Sequence, residues 1–296
     1  MFKVLVLLLL STLFLSAIEQ YEPLSKQYLH EGNHYLVSRT FLKEGVRYYL
    51  CTNTQTLHSD IITLDASKLR DLDKTFEQSP LARALHHATF LHVKGGAPHA
   101  TAFHPKAIYL TMDMCPSRKR DYESEFIAQL TTFQDKVPIA IAVSSEWILH
   151  HQEAFNALKK NPKLDITWVN HTHTHFYDRM LEDRKNFMLH AKTNVKEEIL
   201  ELEKLLIEKG ETPSIFFRFP GLMANETLMK ELRETYFLIP LSADAWIAKN
   251  EAVKEGSFIL IHGNKNEPQG IEMLEKILPE LMKKYYFSPI QEAFRP

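Results

Sequence analysis

From residue 105 onward, short uninterrupted apolar runs alternate with stretches of helical amphipathic spacing, and this restricts the fold more than any other property of the chain. The runs at 107–112, 137–143, 164–169, 214–217, 236–241 and 257–261 read as buried strands, with little of the polar alternation of a half-exposed strand. Helical patterns intervene at 121–133, 146–159, 181–209, 226–234 and 271–285. Strand followed by helix, repeated, requires a parallel sheet with helices packed outside it, as an open sheet or a barrel. In both architectures the functional groups gather beyond the carboxyl ends of the strands.

Those ends carry reactive residues. The first run leads into Asp113, the third into His171, His173 and His175, and the fourth into Arg218. Asp244 and Trp246 follow the fifth, and the sixth ends at His262. His171 and His175 are four apart, so a helical turn beginning there would place both rings on one side. Two imidazoles on one face are two ligands for a divalent metal such as zinc. A third ligand, expected to be a carboxylate, must come from elsewhere and leave one position open for water.

In order and content these segments resemble the five motifs of the NodB-like polysaccharide deacetylases, a carbohydrate esterase family. Thr111-Met112-Asp113-Met114-Cys115 is similar to the first motif, and His171-Thr172-His173-Thr174-His175 matches the second in full. Arg218-Phe219-Pro220-Gly221 resembles the third, Asp244-Ala245-Trp246 the fourth, and Leu260-Ile261-His262 matches the fifth. The resemblance covers roughly 105–265. It implies a distorted (β/α) barrel with an N-terminal α+β extension, a divalent metal on His171 and His175, and hydrolytic removal of acetyl groups from an acetylated polysaccharide or oligosaccharide.

The residues suit that chemistry. Asp113 would take a proton from water as general base, and Arg218 beside it would favour the carboxylate form. His262 would protonate the leaving group, and Asp244 would hold its imidazole. Trp246, with Pro220 and Leu260, would wall the substrate pocket.

One departure matters. The family's first motif carries two adjacent aspartates, a base and a metal ligand, and the second position here is Met114, which cannot replace a hard oxygen ligand. Asp113 could itself bind metal; His173, Asp121 or Glu123 could complete the set; or two histidines and water could suffice. The histidines favour zinc among divalent metals. Alternatives to the deacetylase are a non-catalytic glycan-binding relative and a hydrolase of another non-peptide amide.

Of 296 residues, 45% are hydrophobic and 24% charged, enough for a sizeable core. A net charge of −2 gives no reason to expect nucleic acid as a partner. Lys3, the apolar run that follows and Leu15-Ser16-Ala17 have the form of a secretory signal peptide over 1–17. A periplasmic or extracellular address is therefore expected, with no stable membrane association after cleavage. Cys51 and Cys115 allow one disulfide at most, and none is expected. Residues 18–104 read as an accessory region and 105–296 as the catalytic domain. A hairpin is expected around Lys43-Glu44-Gly45, a helical pattern over 66–91, and a linker or covering loop at Gly95-Gly96-Ala97-Pro98.

Overall fold

The computed structural model describes residues 17–87, 90–91, 94–119 and 121–295. The expected signal peptide, up to residue 16, and His92 lie outside the described residues. An antiparallel sheet comes first, in the order β1 (Ile18–His30), β2 (Asn33–Lys43), β3 (Val46–Asn53) and β4 (Ser59–Ile62). The β2–β3 turn is the expected hairpin: Lys43 pairs with Val46, and Glu44 and Gly45 both have positive φ, the signature of a two-residue turn matched to strand twist. The helical pattern over 66–91 resolves into shorter pieces, chiefly α1 (Lys74–Glu77) and α2 (Pro80–His87). Pro80 opens α2, where its missing N–H costs nothing. A two-residue hairpin, β5 (Phe90–Leu91) and β6 (Lys94–Gly95), follows.

The second sheet is the curled parallel sheet of a distorted (β/α) barrel. Its strands are β7 (Ala107–Met114), β8 (Val137–Val143), β9 (Leu164–Asn170), β10 (Phe216–Phe217), β11 (Ile239–Pro240), β12 (Ala245–Trp246) and β13 (Phe258–His262). They run in the order β11-β10-β9-β8-β7-β13-β12, and β14 (Tyr286–Phe287) joins the start of β7. Outside lie α3 (Ser124–Leu130), α4 (Ser145–His150), α5 (Gln152–Lys159), α6 (Val195–Glu208), α7 (Glu226–Glu234) and α8 (Pro268–Lys284). Three helical expectations shorten: the pattern over 121–133 is helical only from Ser124 to Leu130, that over 146–159 breaks at His151, and that over 181–209 is helical only from Val195.

Period-two alternation sorts the strand residues into two cores. Ile108, Leu110, Met112 and Met114 of β7 join Ile139, Ile141 and Val143 of β8 against the helix layer. Ala107, Tyr109, Ala140, Ala142, Val169 and Phe258 belong to the inner core, where Leu81 and Leu85 of α2 pack against them. The first sheet docks on α6 through a buried ion pair. Arg39 Nε and Nη2 donate to Glu203 Oε2 and Oε1 at 2.7 and 2.9 Å, and Tyr21 Oη donates to Oε2 at 2.9 Å. The remaining donors of Arg39 reach the carbonyls of Ser38 and Tyr236.

The Gly95-Gly96-Ala97-Pro98 stretch laces the barrel rather than linking to it. Ala97 N donates to Pro240 O, Ser242 N donates to Ala97 O, and Ala100 N donates to Gly256 O. The strap therefore bridges the end of β11 to the start of β13. Gly96 has φ +120, and a Cβ there would stand 2.7 Å from the Leu241 carbonyl carbon, so only glycine fits.

Candidate active site

Alternation along β7 turns Thr111 and Asp113 into the barrel and Met112 and Met114 out of it. Arg218, one residue past β10, is fully buried and reaches across to them. Its Nη1 donates to Asp113 Oδ1 at 2.9 Å and to Thr111 Oγ1 at 2.8 Å, and its Nη2 donates to Ser242 O at 3.0 Å. Thr111 Oγ1 in turn donates a hydrogen bond to Ile259 O. Arg218 Nε is buried with no partner among the described residues. Asp113 Oδ2 accepts no hydrogen bond among the described residues and lies 3.9 Å from His171 Nε2.

The histidines come together without the expected helical turn. Residues 171–176 form an irregular loop in which Thr172 and His175 take positive φ. Asn170 and Glu198 hold that conformation. Asn170 Oδ1 accepts from Thr172 N while its Nδ2 donates to Ile199 O, and Glu198 accepts from the backbone and hydroxyl of Thr174. The rings of His171 and His175 end 4.8 Å apart between centroids. His171 Nδ1 lies 2.8 Å from Arg218 O, so it carries the proton and Nε2 offers a lone pair. His175 Nε2 is buried without a hydrogen-bond partner among the described residues. Cys115 joins them: its Sγ lies 3.5 Å from His171 Nε2, and the three donor atoms lie within 4.8 Å of one another. Burial opposes ionisation of this thiol, but the neighbouring His175 and His171 outweigh it and hold it well below the ordinary range. Two imidazole nitrogens and a thiolate suit a zinc-like divalent metal.

His173, Asp121 and Glu123 do not join this group. Glu123 caps α3 and Asp121 lies 3.8 Å from Lys265. Met114 packs with the helix layer, and its Sδ would stand 2.8 Å from a Cβ on Gly263. The next residue in line with β7's inward face is Cys115, whose carbonyl is held by Asn264 Nδ2 at 2.8 Å. Sequence reading missed Cys115 because it sought a carboxylate; period-two alternation from Asp113 was the signal that pointed to it.

The expected Asp244–His262 pair does not form. Parallel pairing of Ala245 with Ile259 and Trp246 with Leu260 sets Asp244 beside Phe258, four residues before His262 and about 13 Å down the strand. There Asp244 Oδ1 accepts from Phe258 N, and Oδ2 faces His99 Nδ1 at 3.8 Å. Burial raises its carboxyl pKa. Glu267 holds the imidazole instead: its Oε2 lies 2.9 Å from His262 Nδ1 and accepts from Trp246 Nε1 at 3.0 Å. Burial works against a charged His262, but the hydrogen bonds of Cys115 and Glu267 prevail and its pKa is pushed up to about 11. Burial likewise opposes ionisation of Glu267, yet its bond to His262 leaves the carboxyl below its usual value.

These groups open onto a cavity of about 800 Å³. Asp113, Cys115, His175, Trp246, Leu260 and His262 line it, and Phe176, Tyr177 and Phe187 form an aromatic wall. Pro220 is buried and is not among the lining residues; the left-handed Gly221 and Leu222 beside it reach the cavity. The aromatic wall hangs on Asn186, whose side chain bonds Asp178 N, Asp178 O and Leu181 O and so folds into a loop part of what reads as helix in the sequence.

Residues 100–238 match the polysaccharide deacetylase family model. Among solved structures, a family 4 carbohydrate esterase from Bacillus anthracis is similar over 72% of this chain and 90% of its own, at 20% identity and a TM-score of 0.51. Bacillus subtilis PdaA, a family 4 carbohydrate esterase, is similar over 70% of this chain and 93% of its own, at 14% identity and a TM-score of 0.52. A family 4 pseudoenzyme from Bacillus anthracis is also similar, over 78% of this chain and 77% of its own, at 12% identity and a TM-score of 0.48. The first two likenesses show a shared fold.

Proposed function

Because the chain belongs, through residues 100–238, to the polysaccharide deacetylase family, we propose that it is a secreted, metal-dependent hydrolase. Its reaction removes acetyl groups, N-acetyl foremost, from an envelope or environmental glycan. The observation that carries this reading is a base and an acid, each held by its own buried partner, facing one cavity. Asp113 is fixed by Arg218 through one oxygen and keeps the other for a proton. His262 is fixed by Glu267 through Nδ1 and lines the cavity in which a leaving group would take its proton. A glycan-binding module needs neither arrangement. Met114, whose side chain faces away from the site, is no argument for a non-catalytic relative.

A divalent metal on His171 and His175, zinc by preference, would polarise the acyl carbonyl and acidify an attacking water. Asp113 receives the proton of that water, and the Arg218 guanidinium keeps the carboxylate oriented. His262 delivers a proton to the departing amine or alcohol, and Glu267 steadies the imidazolium. Trp246, oriented by the same Glu267 oxygen, and Leu260 supply apolar surface for the acetyl methyl or a sugar face. The apolar segment over 1–17 supports secretion, and no described helix is long and apolar enough to cross a membrane.

The test is acetate release from N-acetylglucosamine oligomers and peptidoglycan by purified protein, stripped of metal and then resupplied with zinc. Acetate formed only with metal supports the reading. Stoichiometric metal without acetate from any acetylated glycan sinks it in favour of another amide.

A further inference from the structure

The third metal ligand is absent from the expected position, and the structure supplies a different one. We propose that the Cys115 thiolate completes a Cys–His–His metal centre with His171 and His175, replacing the carboxylate that residue 114 does not provide. The inference deepens the deacetylase reading and rests on it for the site's purpose, though not for its chemistry.

Strand geometry gives the first argument. A ligand at position 114 would have to leave the face that β7 presents to the barrel, because Asp113 points in and Met114 points out. Cys115 is the next residue to face inward, and it lines the cavity. Distances give the second. Zinc bonds of about 2.3 Å to sulfur and 2.05 Å to nitrogen, at tetrahedral angles, set a sulfur and a nitrogen ligand about 3.6 Å apart. Cys115 Sγ and His171 Nε2 are 3.5 Å apart. The widest donor separation in the trio, within 4.8 Å, exceeds the tetrahedral edge by about 1 Å.

The partners of each donor give the third. His171 Nδ1 is occupied by Arg218 O, so only Nε2 can bind metal. The Nε2 of His175 is buried and unpartnered among the described residues, an arrangement that costs free energy unless something accepts its lone pair. Asp113 is held by Arg218 through Oδ1, and its Oδ2 stands 3.9 Å from His171 Nε2. The loop that carries Cys115 is clamped from across the site: Asn264 holds the Cys115 carbonyl, and Asn266 holds Pro116 O and Ser117 Oγ. A ligand so positioned does not need to be recruited. Sulfur also changes which metals fit, favouring zinc and cobalt and disfavouring magnesium and manganese.

Cobalt substitution tests this without reference to turnover. The metal-stripped full chain, given one equivalent of cobalt(II), should show an intense near-ultraviolet thiolate-to-cobalt band together with tetrahedral visible bands. Cys51→Ser should keep the band. Cys115→Ser should lose it and bind cobalt at least about 100-fold more weakly, beyond the loss usual for a supporting residue. Cys115→Asp should bind cobalt without the band and accept manganese better than the parent does, which keeps the test informative if the serine variant does not fold. Stoichiometric cobalt with no sulfur band, or a band that survives Cys115→Ser, overturns the proposal. Acetate release without the band would sink the ligand and leave the deacetylase; the band without acetate would do the reverse.

Discussion

Among the described residues two arginine–carboxylate pairs are buried, and they are built differently. In the Arg39–Glu203 pair both carboxylate oxygens and the guanidinium donors are engaged, with Tyr21 added as a further donor. In the Arg218–Asp113 pair one carboxylate oxygen is bound and the other stays free on the cavity side, while Arg218 Nε has no partner among the described residues. The first pair is saturated and fastens the N-terminal sheet to α6. The second is left incomplete where a reaction would need it. Saturation marks an ion pair that holds parts together; an unused acceptor beside a cavity marks one that can exchange a proton.

The sharpest way to break this contrast is Asp113→Asn. The amide can still accept from Arg218 but cannot take a proton, so acetate release should fall by about 10²–10⁴. Stability should fall as well, because a buried guanidinium loses its countercharge. A variant with near-normal turnover would end the base assignment. At the other pair the expected pattern is inverted. Arg39→Met should cost about 3–5 kcal/mol in denaturant unfolding, with the turnover of the folded fraction unchanged. In a cycle with Glu203→Leu the two losses should fail to add, with a coupling of about 2–3 kcal/mol. Additive losses would mean that the pair does not act as a unit. The smallest effects separate the two acidic candidates around His262. Glu267→Gln should lower turnover by about 10–100-fold, the range of a partner that orients without reacting. Asp244→Asn should leave it within about twofold, an effect of under 0.5 kcal/mol on the barrier. A reversed ranking would restore the pairing expected from the motif.

Much of this was legible in the chain. The strands of the barrel were readable because fully buried strands are continuously apolar, and the carboxyl-end rule then assembled Asp113, His171, His175, Arg218 and His262 on one face. Three features were not legible. Asp244 was assigned by its nearness to Trp246 in sequence, but parallel register sets it near the start of β13, and Glu267 arrives from the loop before α8. Cys115 was hidden by an expectation of oxygen ligands. Phe187 of the aromatic wall lies in a segment whose charges repeat with helical spacing, and the side-chain bonds of Asn186 to Asp178 and Leu181 fold it otherwise. Spacing along a chain reports local periodicity; it does not report which loop will meet which strand end.

The strap at Ala97 bears on the order in which such a chain can be completed. Thr101 and Ala102 donate their N–H groups to Ala293 O, and Thr101 and Ala293 stand 192 residues apart. A chain emerging from the ribosome makes the lace first and the last eyelet 192 residues later. The seam near Pro240, Gly256 and Ala293 is therefore closed after the strands that carry the reactive side chains have been synthesised. Contacts so remote in sequence make closure slow relative to local helix formation. Until then, the backbone groups that the strap will satisfy stay open to water or to the unpaired strand of a neighbouring chain.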